Sequence, residues 1–118
     1  MAYEVEFLDE FELWWHGLSR DLQESVGRAV RLLQEIGPRL GRPHVDTLKG
    51  SKHLHMKELR IRYRGDAYRV LFAFDPRRVA ILLCAGRKAG PSWYHKMIPL
   101  ADKLYDRHLA TLKKEGLL

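Results

Sequence analysis

The stretch Met56–Lys88, MKELRIRYRGDAYRVLFAFDPRRVAILLCAGRK, decides the fold of this chain. Its first run alternates: Leu59, Ile61 and Tyr63 are apolar, and Arg60, Arg62 and Arg64 fall between them. Successive side chains of a β-strand point to opposite faces, so the run predicts one core face and one face of guanidiniums. Gly65-Asp66, between two strand-like runs, has the length and chemistry of a two-residue hairpin turn. That turn sets Arg64 opposite Ala67, Tyr63 opposite Tyr68, Arg62 opposite Arg69 and Ile61 opposite Val70. Like charges placed opposite each other destabilise a ladder, so an anion is expected to compensate Arg62 and Arg69. The competing reading is a solvated basic face without a ligand.

The next two runs, Ala67–Asp75 and Val79–Ala85, are apolar on both faces, the pattern of central strands. Asp75-Pro76-Arg77-Arg78 joins them, with proline in its favoured second turn position. On the arginine side of its strand Arg69 is followed by Leu71 and Ala73. A lone charge there is costly unless it lines a cleft.

Upstream, residues 3–8 alternate as a short first strand, and Asp9 is placed to cap a helix. Phe11, Trp14, Trp15 and Leu18 recur at helical spacing and predict that helix over about 9–17, with the tryptophans as core anchors. Ser19 is the N-cap of a second helix, whose stripe of Leu22, Val26, Ala29, Val30, Leu33 and Ile36 runs to Gly37-Pro38. Residues 37–55, GPRLGRPHVDTLKGSKHLH, read as a loop crossing from helix to sheet. His53 and His55 have the spacing of one strand face, but no third ligand accompanies them and no metal site is assigned. Lys49 and Lys52 add positive charge beside the arginine face.

Downstream, Gly86-Arg87-Lys88 leads into Ser92-Trp93-Tyr94-His95-Lys96, so cations, an aromatic pair and a histidine gather where a strand ends. Met97, Ile98, Ala101, Leu104, Tyr105, Leu109 and Leu112 mark a C-terminal amphipathic helix. Pro99 kinks or breaks a helix interior, so the main helix is expected to begin near Pro99, after a turn of helix over 92–98.

The 118 residues are 46% hydrophobic and 31% charged, which suits one domain spanning 1–118 with a real core. No apolar run reaches the ~18 residues of a membrane span, and the N-terminus lacks a signal-peptide pattern, so the chain is expected in the cytoplasm, away from membranes. Cys84, the single cysteine, excludes an internal disulfide and reads as a buried thiol. Lys and Arg number 21 against 15 Asp and Glu, a formal charge of +6 that suits nucleic acid or an acidic protein partner. No phosphate-binding glycine loop is present, and no cofactor is assigned.

Taken together, LKGSKHLHMKELRIRYRGDAYRVLF, then ILLCAGRKAG followed by an aromatic and a helix, resemble the RelE/HigB-type toxins of bacterial type II toxin–antitoxin systems, in particular the phage-derived HigB-like branch. The resemblance follows the element order of nearly the whole chain. It implies an α+β, RelE-like fold, β-α-α-β-β-β-α, with a mixed, mostly antiparallel four-stranded sheet. Two N-terminal helices pack on that sheet, and the C-terminal helix lies at its end or edge. It further implies an endoribonuclease that cuts messenger RNA, usually on the ribosome. A co-encoded antitoxin, a small helix-turn-helix protein, would silence it, and should be acidic where it covers the basic cleft. By position, the family's arginine after the hairpin falls on Arg69 and its two alternate basic residues on Arg60 and Arg62. The basic residue after the last strand falls on Lys88 and the catalytic aromatic on Tyr94. The family's late histidine is matched most nearly by His95.

Residue chemistry agrees with this outline. Metal-free RNA cleavage uses the 2′-hydroxyl as nucleophile and builds negative charge on phosphate oxygens, which guanidiniums bind in bidentate fashion. Arg69 and Arg62 are assigned that role. Arg60, Arg64, Arg87, Lys49 and Lys52 are assigned to RNA binding. Arginine is too basic to accept a proton, so His95 fits acid–base work, with Tyr94 as a stacking or weaker acid–base group and Lys88 at the leaving oxygen. Two other classes share these features in part: ParE-like toxins, which poison gyrase by protein contact, and non-catalytic nucleic-acid-binding modules. If Arg62 and Arg69 repel each other, Arg69→Ala should leave stability unchanged or slightly raised.

Overall fold

In the computed structural model, which describes residues 2–118, the hairpin closes one residue earlier than Gly65-Asp66. Strand β3 (Lys57–Tyr63) and strand β4 (Asp66–Phe74) pair with Tyr63 opposite Asp66, so the two-residue loop is Arg64-Gly65. Both loop residues have positive φ, 50° and 81°, as a type I′ hairpin requires. Arg69 therefore opposes Arg60, and Arg62 opposes Ala67. The register moved by two residues and not by one, so the arginines keep their common face. Arg64 leaves that face for the turn, where it stands 3.7 Å from Asp21.

Strand β5 (Ala80–Arg87) pairs antiparallel with β4, and β1 (Val5–Phe7) pairs parallel with β5. The loop expected over 37–55 contains a further strand, β2 (Val45–Thr47), antiparallel to β3. The sheet thus has five strands, ordered β1-β5-β4-β3-β2, and is mixed. Three residues in a Gly- and Pro-rich setting carry too little alternation to announce a strand.

Helices α1 (Asp9–His16) and α2 (Arg20–Ile36) cover one face. Phe11, Leu22, Val26 and Leu33 meet Leu59, Ile61, Val70, Phe72 and Leu82 there. Ser19 caps α2 through Leu22 N–H, as its position predicts; Asp9 is the first residue of α1 and caps nothing. Helix α3 (Ser92–Lys114) lies on the opposite face, not at the sheet's end or edge. Met97, Ile98, Ala101, Leu104 and Tyr105 pack there on Leu71, Ala73, Ile81 and Leu83. It runs unbroken through Pro99. Both Pro99 and His95, whose carbonyl loses its helical donor, are exposed, so the missing bond falls on the solvent side while the apolar stripe holds the helix.

The β4–β5 turn is locked by Asp75, whose side chain is fully buried. Its carboxylate accepts from the amides of Arg77 and Val79 and from the Arg77 guanidinium, and stands 2.9 Å from His108 Nε2 on α3. Burial pushes this carboxyl up, but the hydrogen bonds from His108, Arg77 and the two amides outweigh it and hold it below the ordinary carboxylate value. A carboxyl with a lowered folded pKa stabilises the fold above its unfolded value, and that contribution is lost as pH falls through the folded value. Asp75→Ala is expected to cost on the order of 3–5 kcal/mol at neutral pH, because it leaves Arg77 and His108 without their buried anion. In urea unfolding across pH 2–7, the gap between wild type and Asp75→Ala should narrow as the pH drops below the carboxylate range.

Candidate active site

On the α3 side of β3 the alternation brings Glu58, Arg60 and Arg62 into one row, with Arg69 and Leu71 beside them on β4. Helix α3 covers the Leu71 end and leaves the arginine end as a cleft. Pro43, Arg60, Ile61, Arg62 and Arg69 line one depression of about 270 Å³. Asp46, Thr47, Leu48, Lys49, Glu58, Tyr94 and Ile98 line a second, of about 310 Å³. Glu58 and Arg69 lie at the floor, 6% and 5% exposed.

The anion that the opposed arginines demand belongs to the chain itself. Glu58 Oε1 is 3.3 Å from Arg69 Nε, and Glu58 Oε2 is 4.0 Å from Arg60 Nε. The Tyr94 hydroxyl donates to Glu58 Oε1 at 2.6 Å. Arg69 donates from Nη1 to the carbonyl of Tyr68 at 3.1 Å. Its Nε faces Glu58 without hydrogen-bond alignment, and is the one buried side-chain nitrogen or oxygen without such a partner among the described residues. The buried guanidinium thus holds Glu58 through Nε by charge, without a fully aligned hydrogen bond.

Tyr94 reaches this carboxylate because α3 starts directly above the end of β5. Gly86, opposite Arg69 in the ladder, makes room: a Cβ there would stand 3.0 Å from the Trp93 indole nitrogen. Trp93 lies against the strand and meets Tyr94 edge-on, with ring centroids 5.3 Å apart. Lys88 is fixed by its amide, which donates to Ala67 at 2.8 Å, and its ammonium sits 5.5 Å from the Tyr94 ring centroid. Burial, and next the hydrogen bond to Glu58, raise the Tyr94 phenol above its usual value; Arg69 opposes them in part. Tyr94 stays protonated at neutral pH and serves as a donor.

The structure brings together Arg60, Arg62, Arg69, Lys88 and Tyr94 of the residues expected from sequence. His95 is exposed on α3 and makes no hydrogen bond or ion pair to this cluster. Lys49 stays at the rim of the cleft, exposed. Lys52 is drawn to Asp106 on α3, and that contact raises its pKa. Arg87 stands 3.8 Å from Asp66, and Arg64 pairs at the turn. His53 bonds Asp106 at 2.8 Å. Cys84 is buried, and burial pushes its thiol up to about 12, which leaves it un-ionised and inert.

Glu58 and Trp93 are the members that sequence reasoning missed. The signal for Glu58 was its parity: two residues before Arg60, it must share the arginine face.

Burial reverses the stability expected of Arg69→Ala. Removing the guanidinium leaves Glu58 buried with Tyr94 alone, a loss on the order of 3–5 kcal/mol and not a gain. The double variant Glu58→Ala/Arg69→Ala should lose clearly less than the sum of the two single changes in denaturant melts, since the charges disappear together.

Residues 13–106 match the family model described as phage-derived protein Gp49-like. The chain is 47% identical over 106 residues to HigB2 of Mycobacterium tuberculosis H37Rv, named as a toxin; the match takes in 87% of this chain and 53% of that one. The chain therefore spans about half the length of HigB2. HigB3 of the same organism, also named as a toxin, is 47% identical over 109 residues, covering 91% of this chain and 94% of its own. Among solved structures, the isolated Escherichia coli RelE toxin superposes with a TM-score of 0.58 at 19% identity, over 83% of this chain and 97% of that one. RelE in the archaeal RelE–RelB complex of Pyrococcus horikoshii gives 0.56 at 18% identity, over 77% and 100%. These structural matches establish a RelE-like fold; the family model over residues 13–106 and the 47% identity to HigB3 over 94% of its length show the family, and the chain belongs to the phage-derived Gp49-like family of RelE/HigB-type toxins.

Proposed function

We propose that this protein is the toxin of a type II toxin–antitoxin pair and cuts messenger RNA on the ribosome as a metal-independent endoribonuclease. The observation that carries the reading is the Tyr94–Glu58–Arg69 chain beneath an open arginine row. A carboxylate, a phenol and a buried guanidinium lie in contact between two adjoining depressions, which supports reading them as proton acceptor, proton donor and phosphate ligand.

In this reading a backbone phosphate lies on Arg60, Arg62 and Arg69. Glu58 takes the proton of the adjacent 2′-hydroxyl, and that oxygen attacks phosphorus. The growing charge on the non-bridging oxygens meets guanidiniums already in place, Arg69 among them. The bond to the 5′-oxygen breaks and that oxygen takes the proton of Tyr94, leaving a 2′,3′-cyclic phosphate and a free 5′-hydroxyl. Glu58 then returns its proton to Tyr94 along their 2.6 Å hydrogen bond. Lys88 beside the ring favours the transient phenolate. Glu58 thereby takes the proton-accepting role for which the sequence offered His95.

The proposed partner is an antitoxin that covers this cleft with acidic residues facing Arg60, Arg62 and Arg69. Support comes from the net charge of +6 and from the RelE–RelB complex among the structural neighbours. Expression without the antitoxin should arrest translation, whereas co-expression should be tolerated.

The test is cleavage of messenger RNA by purified protein with ribosomes. Glu58→Gln should lower the rate by about 10²–10⁴, the range of a lost general base, and Arg69→Ala by about 10²–10³. His95→Ala should stay within a few-fold of wild type. Full activity of Glu58→Gln with an inactive His95→Ala would return the proton to His95. Gyrase-linked DNA breaks, or RNA binding without cutting, would replace the reading altogether.

A further inference from the structure

Strand β2 covers the edge of β3 only as far as Leu59, so beyond that point β3 presents a bare edge; the last bond across it runs from Arg60 N–H to His44 O at 2.8 Å. Around this edge a depression of about 250 Å³ opens toward α2, sharing Arg60, Ile61 and Arg62 with the catalytic cleft. Arg28, His44, Arg60 and Arg62 rim it, with Ala29, Leu32 and Ile61 as apolar floor. No carboxylate lines it.

The arginines of this chain fall into two groups, those within reach of a carboxylate and those without one. Arg42, Arg64, Arg77, Arg87 and Arg107 each lie within 4 Å of a carboxylate. Arg28 bonds only the Ser25 hydroxyl, and Arg62 has no hydrogen-bond or ion-pair partner among the described residues. Arg60 reaches Glu58 only at 4.0 Å. Three arginines thus line one hollow with no carboxylate in its wall, Arg60 keeping only its distant approach to Glu58. Arg60, Ile61 and Arg62 also line the depression that holds Arg69, so the two hollows meet over the same strand edge.

We propose that the hollow between Arg28, His44, Arg60 and Arg62 is a second phosphate-binding subsite, holding a backbone phosphate of single-stranded RNA that crosses the bare edge of β3 on its way out of the cleft. This deepens the endoribonuclease reading and rests on it. The nucleotide's phosphate meets the guanidiniums, and its ribose and base lie on Ala29, Leu32 and Ile61. Arg28 becomes a binding residue, although it stands on α2, across the sheet from Tyr94 and Glu58.

The experiment titrates a fluorescein-labelled RNA 12-mer, carrying 2′-O-methyl sugars so that it is not cut, against wild type, Arg28→Ala and Arg31→Ala over 50–300 mM salt. Arg31 is an exposed arginine on the same helix that lines a different groove, beside Phe11 and Trp15, so it controls for net charge alone. Arg28→Ala should weaken binding several-fold at low salt and reduce the slope of log K against log salt by about 1, the signature of one lost phosphate contact, while Arg31→Ala leaves the slope unchanged. Equal slopes for wild type and Arg28→Ala would overturn the subsite while leaving the ribonuclease reading intact. Equal losses in both variants would reduce it to general charge. A poly-glutamate peptide that binds wild type, and depends on Arg28 where the RNA does not, would assign the hollow to an acidic protein. Failure of wild type both to bind the 12-mer and to cut RNA would instead remove the parent reading.

Discussion

The Glu58 carboxylate, held between Arg69 and the Tyr94 hydroxyl, is the interaction on which the rest of this arrangement depends. Without it, Arg60 and Arg69 would face each other across β3 and β4 with only water to separate their fields. With it, one buried anion joins three elements: β3 supplies it, β4 supplies the guanidinium, and α3 supplies the phenol that fixes its orientation. Two charges in the interior rarely add much stability beyond what an apolar pair would give, but losing one of them is expensive. The device therefore makes the site intolerant of partial change while adding little to the fold as a whole.

It also sets a competition. A phosphate entering the cleft presents oxygens to the same guanidinium that Glu58 now engages without full alignment. Arg69 is buried and its backbone is central in the sheet, so its position costs no reorganisation when charge develops. In the proposed reaction, the substrate phosphate and Glu58 thus compete for one guanidinium.

Periodicity carried most of the fold. The alternation of Leu59, Ile61 and Tyr63 against arginines, the stripe of α2 and the stripe of α3 all fall where their spacing put them. What escaped has physical causes. Gly65 can occupy the first or second place of a tight turn, so sequence leaves the register open by one loop position. Strand β2 is too short to alternate, and β3 recruits it through three residue pairs. Pro99 survives inside α3 because the carbonyl it strands faces solvent, an outcome set by packing and not by local preference. Glu58 was hidden by its class: a carboxylate in a charged strand looks solvated, and the search for an anion turned outward to a ligand. In the site, cations and aromatics were legible because their types advertise their chemistry. The carboxylate that organises them was legible only through face parity.

The arginines of this chain divide by whether the fold answers them. Arg77 and Arg107 each make two contacts to a carboxylate, and Arg64 and Arg87 meet one at 3.7 and 3.8 Å. Most of these pairs are at the surface, where each adds roughly 0–1 kcal/mol; the exception is the buried Asp75 end of the Arg77 pair, which ties the β4–β5 turn to α3. Arg60, Arg62 and Arg28 are left with one distant carboxylate, none, and none. A fold selected for stability alone would have interleaved acids here, as it did around Arg77. Fifteen acidic residues were available to do so. Their placement elsewhere leaves Arg28, Arg60 and Arg62 around one edge of β3, with no carboxylate in the wall of the hollow they share.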